Sequence, residues 1–128
     1  VNLVADASAV LAILLDEPER DIYFSRLIAA DFVWISPINW WEVQVKMRLA
    51  QGEMGLIKTT AWMTDTGIAI EPIVALHAEL AFAARVRYGG PPARLNMGDC
   101  FAYALAKAKN APLLYKGGHF ARTDLTPA

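Results

Sequence analysis

Apolar residues along the chain fall into two alternating patterns: short runs of three or four, and longer stretches in which they recur every third or fourth position. The run Asn2-Leu3-Val4-Ala5 predicts a strand, and 6–15 carries apolar residues at helical spacing until Asp16-Glu17-Pro18 ends it. A second helix is expected over about 19–29, then a buried strand at Phe32-Val33-Trp34-Ile35. Ser36-Pro37 places an N-cap residue before a proline at the first helical position, opening a long helix that ends near Gly52. A further helix is expected over 56–66, a strand over 68–73 and a strongly apolar helix over 74–88. The loop Gly89-Gly90-Pro91-Pro92-Ala93 precedes one more helix, and Leu113-Leu114-Tyr115 offers a final strand. Short apolar strands separated by helices imply an α/β fold of three layers, with a mainly parallel central sheet flanked by helices.

Composition narrows this. At 128 residues and 55% hydrophobic, the chain supports one core, so 1–128 is expected to be a single domain. No stretch approaches the roughly 18–20 consecutive apolar residues that span a bilayer. Nothing near the N-terminus pairs a basic flank with an apolar run and a small-residue cleavage site, so no secretory signal is expected. Cys100 is the only cysteine, which excludes an internal disulfide and a cysteine-rich zinc site and fits a reducing compartment. The expectation is a soluble cytoplasmic protein without membrane association. The net charge of −1 hides an asymmetry: residues 1–42 hold seven acids and two bases, residues 43–128 ten bases and six acids. Ordinary surface charge accounts for this, and so does a basic surface beside an acidic site, which would suit a nucleic acid.

Three acids stand out by position. In open parallel sheets, ligands bind at the carboxyl ends of the strands. Asp6 ends the first strand, where it can also cap the following helix. Glu42 falls well inside its helix beside Trp40, Trp41 and Val43, too far along to be a cap. It must reach solvent, pair with a base such as Lys46 one turn later, or help bind a cation. Asp99 is the third residue of a helix that Asn96 can cap, where an acid favours the dipole and completes a capping box. Each acid has a structural explanation, but together they have a chemical one. Clustered carboxylates repel unless a cation neutralises them, and hard oxygen ligands suit Mg²⁺ or Mn²⁺. Such an ion polarises a phosphate and activates water, which is the chemistry of phosphodiester hydrolysis.

Val4-Ala5-Asp6-Ala7-Ser8-Ala9, Ser36-Pro37-Ile38-Asn39-Trp40-Trp41-Glu42 and Leu95-Asn96-Met97-Gly98-Asp99-Cys100-Phe101-Ala102-Tyr103-Ala104-Leu105-Ala106 resemble, in order and spacing, the successive motifs of PIN-domain ribonucleases, specifically the VapC toxins of bacterial toxin–antitoxin pairs. The likeness extends through Leu113-Leu114-Tyr115-Lys116-Gly117 and Phe120-Ala121-Arg122-Thr123-Asp124. The resemblance implies a PIN-like fold and a Mg²⁺-dependent endoribonuclease, with Mn²⁺ able to substitute, held inactive by a cognate VapB-like antitoxin and tending to homodimerise. It implies that Asp6, Glu42 and Asp99 are catalytic. Asp6 and Asp99 would hold the metal directly and Glu42 would act through water, with Asn96 orienting Asp99. Many members carry a fourth acid after the last strand, where this chain has Gly117-Gly118-His119. Asp124 is the nearest acid to take that place, and His119 could contact a phosphate or be a surface histidine in a turn. Arg85, Arg94 and Lys116 are candidates for RNA phosphates. Two alternatives are a catalytically silent PIN-like binding module and a phosphoacceptor receiver domain, for which Lys116 would be the lysine near the last strand. Against the latter, Asp6 stands without an acidic neighbour and Glu42 lies in a helix.

Overall fold

The computed structural model describes residues 1–128. Its elements run β1 (Asn2–Ala5), α1 (Ala7–Leu14), α2 (Arg20–Ala29), β2 (Phe32–Ile35), α3 (Pro37–Thr66), β3 (Ala69–Ile70), α4 (Ala75–Tyr88), α5 (Met97–Lys109) and β4 (Leu113–Leu114), followed by a single 3₁₀ turn at Phe120–Arg122. The strands form one all-parallel sheet in the order β3-β2-β1-β4, with β1 flanked on both sides.

Residue alternation along β1 divides the interior. Leu3 and Ala5 face a core built with Val10, Leu14, Leu27, Val43 and Met47 from α1, α2 and α3. Val4 faces the opposite core, with Ala81, Ala84, Leu95, Leu105 and Leu113 against α4 and α5. Three layers result, and the register is fixed because a slip by one residue would exchange the two faces. A buried aliphatic side chain contributes about 1.5–3 kcal/mol of transfer free energy, so Leu3 and Val4 on β1 and Leu113 on β4 resist such a slip.

Helix boundaries follow local chemistry. Asp6, Ser36 and Asn96 each cap the helix that follows with a side-chain oxygen. The two helices expected over 37–52 and 56–66 meet within α3 at Gly52, whose φ of 63° and ψ of −146° leave the helical region. Gly67, in the left-handed conformation at φ 68°, ends it.

Two strands are shorter than expected. Only Ala69–Ile70 of 68–73 forms a strand, because Pro72 has no N–H for the ladder after Glu71 donates to the Ile35 carbonyl at 3.0 Å. Tyr115 lies outside β4, and the next backbone N–H, of Lys116, donates at 2.9 Å to Ser8 Oγ instead of to a strand. No helix is long and apolar enough to cross a membrane.

Candidate active site

The carboxyl end of β1, the N-terminus of α5 and one face of α3 meet around an open cleft of about 240 Å³ whose lining includes Asp6, Glu42 and Asp99. Residues separated by up to 93 positions in the chain are brought together there, each held differently.

Asp6 is buried, with 5% exposure. Its Oδ2 accepts from the Ser8 backbone N–H at 3.0 Å and from Ser8 Oγ at 2.5 Å, while Oδ1 has no protein partner. Burial pushes the carboxyl up to about 6, opposed by the two Ser8 donors and reinforced by the charges of Asp99 and Glu42. The helix cap and the cleft therefore use different oxygens of one side chain.

Glu42 is fixed by a relay that begins at the α3 cap. Ser36 Oγ accepts from the Asn39 N–H at 3.1 Å and donates to Asn39 Oδ1 at 2.6 Å. This orients the fully buried Asn39 so that its Nδ2 donates both to Glu42 Oε1 at 2.9 Å and to the Gly98 carbonyl at 3.0 Å. Glu42 Oε2 has no protein partner, and Glu42 forms no ion pair with Lys46. Gly98 leaves room for that carboxylate, which a Cβ at this position would displace.

Asp99 closes the capping box of α5. Its Oδ2 accepts from the Asn96 N–H at 3.1 Å, and Asn96 Oδ1 accepts from the Asp99 N–H at 2.8 Å. The same Oδ2 contacts His119 Nδ1 at 2.8 Å. In all three carboxylates one oxygen is tied to protein donors and the other is left without one.

Comparison with known proteins gives the family. Residues 3–125 match the PIN domain family model. Ribonuclease VapC30 of Mycobacterium tuberculosis is 35% identical over 128 residues, covering 96% of this chain and 95% of that protein. Ribonuclease VapC of Mycolicibacterium smegmatis is 36% identical, covering 96% and 97%. The chain belongs to the PIN-domain VapC family. Solved structures share its fold. The Mycobacterium tuberculosis toxin VapC20, described as cleaving the sarcin-ricin loop, superposes with a TM-score of 0.79 at 18% identity over 98% of both chains. A chain of the Rickettsia felis VapBC2 complex bound to promoter DNA gives 0.81 at 17% identity, covering 100% of this chain and 98% of its own. Family membership removes the receiver-domain alternative.

The VapC-family cleft does not gather every residue singled out in the sequence. Asp124 lies outside its lining, its Oδ1 accepting from Tyr103 at 2.7 Å and Tyr88 at 3.3 Å and its Oδ2 from Lys107 at 2.9 Å. The Tyr103 hydroxyl above all, then Lys107, pull its carboxyl down to about 2. Arg85 and Arg94 are also outside, Arg85 donating to the Leu95 carbonyl at 3.2 Å. Lys116 lines the cleft, but Glu17 and Glu19 hold its ammonium at 2.9 and 2.8 Å. Lys46 also lines the cleft and has no acidic partner. Gly117, left-handed at φ 99°, and Gly118 contribute no side-chain donor. Asn39 and Ser8 escaped the sequence reading as site residues. The available signals were Asn39 three residues before Glu42, and a hydroxyl two residues after Asp6.

The donor set fits a hard divalent cation. The unpartnered oxygens are all carboxylate oxygens, and charge repulsion among their side chains adds to burial in pushing the Asp6 carboxyl up. No group of three His, Cys, Asp or Glu side chains is tight enough to enclose an ion.

Proposed function

We propose that this chain is the toxin of a type II toxin–antitoxin pair, a Mg²⁺-dependent endoribonuclease that hydrolyses RNA phosphodiester bonds in the cytoplasm and accepts Mn²⁺ in place of Mg²⁺. The observation that carries the reading is the shared cleft in which Asp6, Glu42 and Asp99 each keep one oxygen tied and one free. Homologues named as VapC ribonucleases support the same chemistry.

Asp6 and Asp99 would hold the cation. A bound ion would polarise the scissile phosphate and make a water a better nucleophile. Glu42 orients that water and accepts its proton at Oε2, while Asn39 keeps Oε1 fixed. Asn96 holds Asp99 at the head of α5, whose dipole favours the charged carboxylate. Lys46 faces the substrate phosphates from the adjoining turn of α3.

The protein, freed of any antitoxin, is expected to cut RNA with Mg²⁺ or Mn²⁺ and to stop on addition of chelator. Asp6→Asn and Asp99→Asn should each abolish cleavage while retaining the fold. Equal RNA loss in all three samples would trace the activity to a contaminant and remove the assignment. No cleavage by a folded wild-type protein would instead favour a silent binding module.

A VapB-like antitoxin as partner is supported by solved relatives that include toxin–antitoxin complexes. Homodimerisation is supported by exposed apolar side chains at helical spacing, Trp41, Val45 and Leu49 on α3 and Phe82 and Val86 on α4. Light scattering of the isolated chain tests the dimer, and co-purification with the product of an adjacent small open reading frame tests the antitoxin.

A further inference from the structure

Asp99 Oδ2 receives two donors from different parts of the chain. One is the Asn96 N–H within its own capping box, and the other is the His119 ring, twenty residues later. A carboxylate only accepts, so Nδ1 of His119 carries the proton in this contact. Together they occupy Oδ2 and leave Oδ1 without a protein partner.

The position of His119 is set by its neighbours. Lys116 N–H is anchored on Ser8 Oγ, which itself donates to Asp6 Oδ2, so this loop is tied to the floor of the cleft. Gly117 then turns the chain in the left-handed region at φ 99°. Phe120 follows, 3% exposed and packed against Tyr115 with ring centroids 5.1 Å apart. His119 itself has a side chain 55% exposed, against 13% for Asp99. A ring so exposed contributes little to the core, and Asp99 is its only side-chain hydrogen-bond partner.

We propose that His119 is a positioning residue for Asp99: its Nδ1–H pins Oδ2 and so presents Oδ1 to the divalent cation. The inference rests on the reading of Asp99 as a direct ligand. A carboxylate held by Asn96 alone rotates more freely about its last bond, and part of the binding free energy goes into orienting it. Outer partners of metal-binding side chains typically change affinity by about 10–100-fold when removed.

Mn²⁺ titration of the full chain, followed by the paramagnetic resonance signal of the free ion at neutral pH, tests this without reference to activity. His119→Ala is expected to weaken Mn²⁺ binding by about tenfold, with an unchanged melting temperature in chelator. His119→Asn, which keeps an N–H donor at the place of Nδ1, is expected to recover most of the loss. Wild-type affinity in His119→Ala, or no recovery in His119→Asn, would overturn the role of His119 alone. A wild-type protein that binds no Mn²⁺, or Asp6→Asn and Asp99→Asn variants that bind it normally, would overturn the metal site and this inference with it.

Discussion

The carboxylate of Glu42 occupies the space that a side chain at Gly98 would need, so any larger residue at 98 displaces it. Asn39 seals the contact by donating to both Glu42 and the Gly98 carbonyl. The atoms a methyl group would strike are the end of a flexible side chain, which can swing away. Gly98→Ala is therefore expected to cost little stability, about 1 kcal/mol, yet to displace Glu42 and lower kcat at least tenfold. In a Glu42→Ala background the same substitution should have almost no further effect on kcat, since nothing remains to displace. Single-turnover cleavage and thermal melts of the four proteins check this; additive losses would show that Gly98 acts otherwise.

Asp6 makes the metal-free protein sensitive to pH. Its carboxyl titrates near 6 in the folded state against an ordinary value of 3.8, so between these the native state binds more protons than the unfolded one. Stability then falls as pH rises through this window, by roughly 3 kcal/mol in all, and stays lower above it. Asp6→Asn should flatten the fall and be more stable than wild type in chelator at neutral pH, although inactive. Denaturant midpoints from pH 4 to 7 with and without Mn²⁺ measure it, and the ion should restore the wild-type protein. A parallel decline in Asp6→Asn would assign the pH dependence to another group.

The three acids were legible in the sequence because each occupies a place defined by its own element: a strand end, a mid-helix position too far along for a cap, and the third residue of a capped helix. Asn96 was legible with them, as the cap whose box Asp99 completes; the other partners were not. Asn39 reads as an ordinary helical residue until Gly98, fifty-nine positions away, is placed beside it. Gly98 stands in the motif just before Asp99, but nothing local says that Glu42 lies against it. His119 reads as a turn residue until Phe120 is buried and draws the loop over Asp99. The basic residues were least legible, because whether Lys116 is free depends on Glu17 and Glu19 across a long-range contact. Local patterns fixed the elements and their order; long-range hydrogen bonds decided which polar groups remain available.

Lys46 is the cleft lysine without an acidic partner. It follows Glu42 by one helical turn and pairs with no acid, whereas the hydrogen bonds that Lys116 donates to Glu19 and Glu17 hold its ammonium above its usual range. Removing a phosphate contact should weaken single-stranded RNA binding across sequences and reduce the slope of log affinity against log salt by about 0.7. Lys46→Ala, made in the non-cleaving Asp6→Asn protein, is expected to show this, and Lys116→Ala to show less of it. Fluorescence anisotropy over a salt series decides between them. An unchanged slope for Lys46→Ala would exclude it from the RNA path.

Asp124 is expected to serve stability and not cleavage. Its carboxylate joins Tyr103 and Tyr88 to Lys107 outside the cleft, and its side chain is 36% exposed, so solvent screens the interaction. A carboxyl lowered to about 2 when folded stabilises the protein above its ordinary value of 3.8, and that contribution is lost as pH falls through about 2. Asp124→Asn should therefore lower stability by about 1 kcal/mol at neutral pH, the loss including the buried Tyr103 hydroxyl's charged partner. The difference from wild type should narrow as pH falls from 4 toward 2. Mn²⁺ affinity and RNA cleavage should stay at wild-type levels. Denaturation curves together with a Mn²⁺ titration test both halves, and a loss of metal affinity with unchanged stability would return Asp124 to the site.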